Sequence, residues 1–175
     1  MGVLARYADS LLNSSSQLYR QGMPAIFQGL SLNVAYGEFA IVAGDDDNSI
    51  IHMWKDIPAS AVPILMPIGT SGMTASTVWD IGIAYTGKLD GTIGATISQN
   101  ALGNDVDLSS AIVLSASNFL NGLNNISVAN RFKNLAQLAG YTTGSHPAAF
   151  DIPFKGVTIG SANGTVEGLF IYGMP

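Results

Sequence analysis

Thr77-Val78-Trp79-Asp80-Ile81-Gly82-Ile83-Ala84-Tyr85 alternates strictly, and that alternation decides the fold class. A period of two puts Trp79, Ile81, Ile83 and Tyr85 on one side of a β-strand, with Val78, Asp80, Gly82 and Ala84 on the other. The first side is a core face. The second is stripped to a carboxylate, a glycine and an alanine, which suits close packing against another backbone or an exposed sheet surface. Such a strand is architecture and carries no reaction.

The same rhythm continues on either side. Residues 87–91 read as a turn and residues 92–98 as the partner strand. Upstream, residues 69–76 form a Gly/Ser/Thr loop. Residues 62–68 carry Pro63 and Pro67, which confines them to an edge strand or extended segment, because proline cannot donate to a central ladder. The acidic run Asp45-Asp46-Asp47-Asn48 reads as a loop before a strand at residues 50–54. Leu30, Leu32, Val34 and Tyr36 alternate with small or polar residues, and the apolar phase then moves to Phe39 and Ile41, which predicts a bulge or turn at Gly37.

Further on, residues 115–123 are ambiguous. Val128, Phe132, Leu135, Ala136 and Ala139 form a helical stripe with Ser127 as N-cap and Gly140 as C-cap. Asn163-Gly164 predicts a type I′ hairpin turn between residues 157–161 and 165–172. That hairpin collects Val157, Ile159, Val166, Phe170 and Tyr172 on one face and leaves Glu167, Leu169 and Ile171 on the other. The expected fold is mainly β, an antiparallel β-sandwich or jelly roll with one short helix in a connection.

At the amino terminus Val3, Leu4, Tyr7, Ala8 and Leu11 recur at helical spacing, with Arg6, Asp9 and Ser10 opposite. This is an amphipathic arm, interrupted by Ser14-Ser15-Ser16 and closed by Gly22-Met23-Pro24. Residues 1–24 are therefore read as an arm and residues 25–175 as one β-sandwich domain. The arm either folds back on its own core or grips a neighbour, which makes Val3, Leu4, Tyr7 and Leu11 candidate interface residues.

Composition narrows the function. Charged residues are 11% of the 175, against about 25% in an ordinary soluble domain. With mean hydropathy +0.32, the surface is mostly neutral. Either part of it is covered in an assembly or the chain is a weakly charged monomer. A net charge of -5 with seven scattered Lys and Arg argues against nucleic acid as a partner. Cysteine is absent, which removes disulfides, thiol catalysis and thiolate-bound zinc. Residues 1–12 carry Arg6 and Asp9 where a signal peptide has an apolar core. The long uncharged run between Asp56 and Asp80 is broken by Pro58, Pro63, Pro67, Gly69 and Gly72, so no membrane helix is expected.

Catalytic patterns are missing. The two histidines, His52 in a strand-like run and His146 in Gly144-Ser145-His146-Pro147, have no nucleophile elbow to serve, and structural roles are expected for both. Gly91-Thr92-Ile93-Gly94 matches no phosphate loop. Asp45, Asp46, Asp47, Asp105 and Asp107 fit neither calcium-loop spacing nor a defined glycosidase pair, and they are expected in solvated loops. Asn13, Asn125 and Asn163 match the glycosylation pattern by chance, given no secretory signal. No catalytic residue, metal or cofactor is expected, and the protein is read as not an enzyme.

A family resemblance supplies what the residues alone do not. Ile57-Pro58-Ala59-Ser60-Ala61-Val62-Pro63-Ile64 is followed by Gly72-Met73-Thr74-Ala75-Ser76-Thr77-Val78-Trp79-Asp80-Ile81-Gly82-Ile83. Asp105-Val106-Asp107-Leu108-Ser109-Ser110-Ala111 comes next in the chain. In content and order these segments resemble small virion structural proteins of tailed bacteriophages. Leu135-Ala136-Gln137-Leu138-Ala139-Gly140 and Gly164-Thr165-Val166-Glu167-Gly168-Leu169 fit the later part of that pattern, so the likeness spans residues 39–172 and leaves the arm outside. The resemblance implies a head-associated decoration or cement protein, made in the bacterial host cytoplasm and carried in the virion. It would bind the major capsid protein and copies of itself as a homo-oligomer. A neck, tail or fibre-base component is the alternative within the virion. Outside it, the alternative is a carbohydrate-binding β-sandwich with Trp54, Trp79, Tyr85 and Tyr141 as aromatic platforms. If the arm is the contact device, removing residues 1–21 leaves a folded domain that no longer binds particles. Full-occupancy decoration of capsids by the truncated chain would show that the arm is dispensable.

Overall fold

The Trp79 strand runs through the interior of one of two antiparallel sheets in the computed structural model, which describes residues 31–42, 44–87, 93–115, 118–142, 144–159 and 162–175. In chain order the strands are β1 (Ser31–Ile41), β2 (Ile50–Pro58), β3 (Val62–Leu65), β4 (Pro67–Thr70), β5 (Val78–Tyr85), β6 (Thr96–Asp107), β7 (Leu120–Asn121), β8 (Ala149–Thr158) and β9 (Gly164–Met174). A 3-10 turn at Val128–Asn130 and a single α-helical turn, α1 (Leu135–Leu138), lie between β7 and β8.

One sheet runs β1-β9-β4-β7, with β3 also on β9; the other runs β2-β8-β5-β6. β3 and β4 follow one another along β9, with Leu65 opposite Ile171 and Ile68 opposite Gly168. They form one strand interrupted at the fully buried Met66. Counted so, the first strand pairs with the last, the second with the next to last, the third with the sixth and the fourth with the fifth. That nesting is one long antiparallel hairpin rolled over on itself, its successive pairs falling alternately into the two sheets. It is the jelly-roll order.

Between the sheets lies a core that the β5 alternation foretells: Trp79, Ile81 and Ile83 are all fully buried. Rings carry the contact from sheet to sheet. Phe39 of β1 stands 5.2 Å from Phe154 of β8 and 5.8 Å from Trp79. Trp54 of β2 stands 5.7 Å from both Phe154 and Phe170 of β9. Buried rings of this size contribute most of a small core's apolar area.

The small side of β5 packs against backbone. A methyl group added at Gly82 would sit 2.3 Å from the Ser98 carbonyl oxygen and 2.5 Å from that of Gln99. Ala84 and Asp80 are buried beside it.

Four expectations are corrected. No break occurs at Gly37: β1 runs straight through it, and the apolar residues change faces within an unbroken strand. Ser127 caps no long helix, because Val128–Asn130 is a 3-10 turn with no side-chain cap. The α-helical turn starts instead at Asn134, whose side chain and that of Gln137 close a reciprocal capping box. Gly140, at φ +95, does terminate the turn. Asn163-Gly164 makes no hairpin, since β8 and β9 belong to different sheets and the buried Ile159 and Ala162 carry the chain across. Val157 accordingly turns out to solvent. Tyr85, expected on the core face, ends its strand 43% exposed.

Gly82→Ala is expected to destabilise the domain by about 1–3 kcal/mol in urea unfolding, because backbone must shift to admit the methyl group. Gly44→Ala, with open space at the corresponding position, serves as the control and is expected to leave the unfolding midpoint in place.

Candidate functional site

β1 presents its odd-numbered residues to the core: Ala35 and Phe39 pack against it and Ile41 is buried. Its even-numbered residues point the other way, and three of them are large and apolar. Leu32 is 70% exposed, Val34 59% and Tyr36 60%. The neighbouring β9 buries Val166 and Phe170 and so turns Glu167, Leu169 and Ile171 to the same outer side, with both apolar residues half-buried. Tyr36 donates its hydroxyl hydrogen bond to Glu38 at 3.0 Å. That bond, reinforced by the negative charges of Glu38 and Glu167, raises the phenol above its ordinary pKa. The result is an apolar row with an acidic rim. β1 ends its sheet among the described residues, and its 11 residues include no proline, lysine or arginine of the kind that guards an open edge.

The outer side of the other sheet is built the opposite way, with polar groups that are buried. His52 and Asp151 meet at 2.8 Å, their side chains 2% and 1% exposed. A carboxylate can only accept, so the imidazole Nδ1–H donates. Asp151 also accepts from the backbone N–H of Asp56 at 3.0 Å and of Gly87 at 3.2 Å. His52 Nε2 is buried and has no hydrogen-bond partner among the described residues. Along the same face Asp80 accepts from Gln99 Nε2 at 2.8 Å and from the Asp105 N–H at 3.1 Å. Gln99 Oε1 in turn accepts from Lys155 Nζ at 2.7 Å. Asp80 is thereby a satisfied structural carboxylate.

The other sequence candidates are dispersed. Val3, Leu4, Tyr7 and Leu11 lie outside the described residues. Trp54 and Trp79, 2% and 0% exposed, are core rings and not platforms. Tyr85 and Tyr141 do come together, hydroxyl to hydroxyl at 2.9 Å, which raises the Tyr141 pKa. His146, exposed in its loop, donates from Nδ1 to the Pro147 carbonyl at 2.8 Å. The acidic loop is tied down: Asp45 accepts from the Val42 N–H at 2.9 Å and Asp47 from the Ile159 N–H at 2.8 Å. Asp107 accepts from both the hydroxyl and the amide of Ser109, which lowers its pKa. Among the described residues no cluster of three or more His, Asp or Glu side chains is placed to hold a metal. Nor is any described helix long and apolar enough to cross a membrane.

The exposed row on β1 has a sequence signal: apolar alternation that changes phase within one strand fits two apolar half-faces as well as it fits a break. Asp151 also has one, a single charge in the polar phase of Phe150-Asp151-Ile152. Comparison of the chain with protein-family models, curated proteins and solved structures gives no match.

Asp151→Ala would leave three donors facing a buried gap. Its expected cost is about 3–5 kcal/mol in chemical unfolding, and a loss below about 1 kcal/mol would show that water replaces the carboxylate.

Proposed function

We propose that this chain is a non-enzymatic structural protein of a bacteriophage virion, a capsid decoration or cement protein that binds the major capsid protein through the outer face of β1 and β9. The carrying observation is the row Leu32, Val34 and Tyr36, each more than half exposed on a regular strand. A contiguous apolar row rimmed by acidic side chains marks a contact face better than it suits a free surface. Each large side chain taken fully from water by a partner contributes about 1.5–3 kcal/mol. The jelly roll supports the reading only as an architecture that viral capsid domains and lectins both use. The resemblance of residues 39–172 to phage virion proteins is what favours the virion reading over the lectin one.

The test uses Leu32→Asp/Val34→Asp. Both positions are exposed, so the variant is expected to keep its circular dichroism spectrum and unfolding midpoint. Its affinity for particles stripped of the protein should fall at least about a hundredfold. Undiminished rebinding by the folded variant would remove this face from the assembly.

A further inference from the structure

We propose a binding site for a neutral saccharide in the cavity beside α1, distinct from the β1 face and independent of the virion reading. The cavity, about 220 Å³, is lined by Asn134, Gln137, Tyr141, Thr142 and His146 among others, and none of the described residues that line it is Asp, Glu, Lys or Arg. That lining excludes the usual anion chemistry, which needs Arg or Lys, and the usual divalent-cation chemistry, which needs carboxylates. What remains is a set of neutral donors and acceptors around an aromatic ring.

The capping box sets the donors. Asn134 Oδ1 accepts from the Gln137 N–H at 2.9 Å, and Gln137 Oε1 accepts from the Asn134 N–H at 3.1 Å. Each side-chain carbonyl is held by one backbone N–H, which fixes the amide's orientation and leaves its NH2 available for a ligand acceptor. His146 supplies the complement: its Nδ1–H is held by the Pro147 carbonyl, so in the neutral ring Nε2 offers a lone pair. The Thr142 hydroxyl both donates and accepts.

Tyr141 is fixed on three sides. Its N–H donates to the Ala136 carbonyl at 2.9 Å, its ring stands 6.1 Å from the buried Phe150, and its hydroxyl meets that of Tyr85. Against it, at 6.3 Å, stands the His146 ring. A sugar ring offers hydroxyl groups that alternately donate and accept along its edge and C–H groups on its face. It therefore matches two amide donors and an imidazole acceptor around a tyrosine with an apolar body and a polar tip.

Asn134→Asp and Gln137→Glu separate the site from the fold. Each keeps the oxygen that closes the capping box and removes one NH2 donor. The full chain would be screened on an array of neutral and anionic glycans, and the best neutral ligand titrated by NMR. The expected result is a neutral saccharide that shifts the Tyr141 and His146 signals but not those of Leu32 and Val34. Each substitution should weaken binding about three- to tenfold without lowering the unfolding midpoint. No glycan binding at millimolar concentration, binding restricted to anionic glycans, or affinity indifferent to both substitutions would each overturn the proposal.

Discussion

Everything in this jelly roll hangs on the rings that cross between its sheets. Phe39 and Phe170 come from one sheet, and Trp54, Phe154 and Trp79 from the other, with centroid separations of 5.2 to 5.8 Å along the contact chain. Nested strand pairing brings together residues far apart in sequence, and each closure costs chain entropy that only large buried area can offset. Two glycines make the arrangement possible. A methyl group at Gly37 would approach Met53 Cγ to 2.7 Å and Trp54 Nε1 to 3.0 Å, and one at Gly168 would approach the Trp54 ring to 3.1 Å. The indole is enclosed so closely that its N–H has no hydrogen-bond partner among the described residues. An unsatisfied buried donor of this kind costs about 1–3 kcal/mol, comparable to what burying one large apolar side chain contributes. Trp54 is therefore kept for its shape.

The same rings fix which way β1 faces. Phe39 and Ile41 must point inward to meet Phe154 and Trp79, and strand alternation then sends Leu32, Val34 and Tyr36 outward whatever their polarity. Gly37, at the crossover of the two apolar sets, is where the inward phase passes beneath Trp54. On the second sheet the logic reverses. Asp80 and Asp151 occupy outward positions yet are 5% and 1% exposed, because neighbouring chain covers them and supplies backbone N–H groups as partners. One sheet thus offers water an apolar row while the other hides polar groups.

Local signals made part of this legible. Trp79, Ile81 and Ile83 read as core because a period of two needs no tertiary information, whereas the small side with Gly82 left close backbone packing and an exposed sheet surface both open. Asn163-Gly164 misled because turn chemistry reports a turn and is silent on which sheet the chain enters next. The apparent helix after Ser127 dissolved into a 3-10 turn and a single capped turn, with Val128 and Phe132 of the stripe 77% and 40% exposed. An isolated helix of that length lacks the stability to persist without burying its stripe. The pairing of His52 with Asp151, ninety-nine positions apart, carries no local mark at all. The contact between the Tyr85 and Tyr141 hydroxyls carries no local mark for the same reason: only the rolled hairpin brings them within reach.

Low charge density and an exposed apolar row are two expressions of one surface strategy. Long-range steering needs a patch of one sign opposite a patch of the other, and here seven basic residues are spread over the whole chain. Association through the β1 face would draw its free energy from apolar burial, with the signature of a negative heat-capacity change and little dependence on salt. Glu38 and Glu167 at the rim work against like pairing, since two such faces brought together would juxtapose acidic side chains of the same sign. That asymmetry favours a partner whose rim is neutral or basic over a second copy of the same strand.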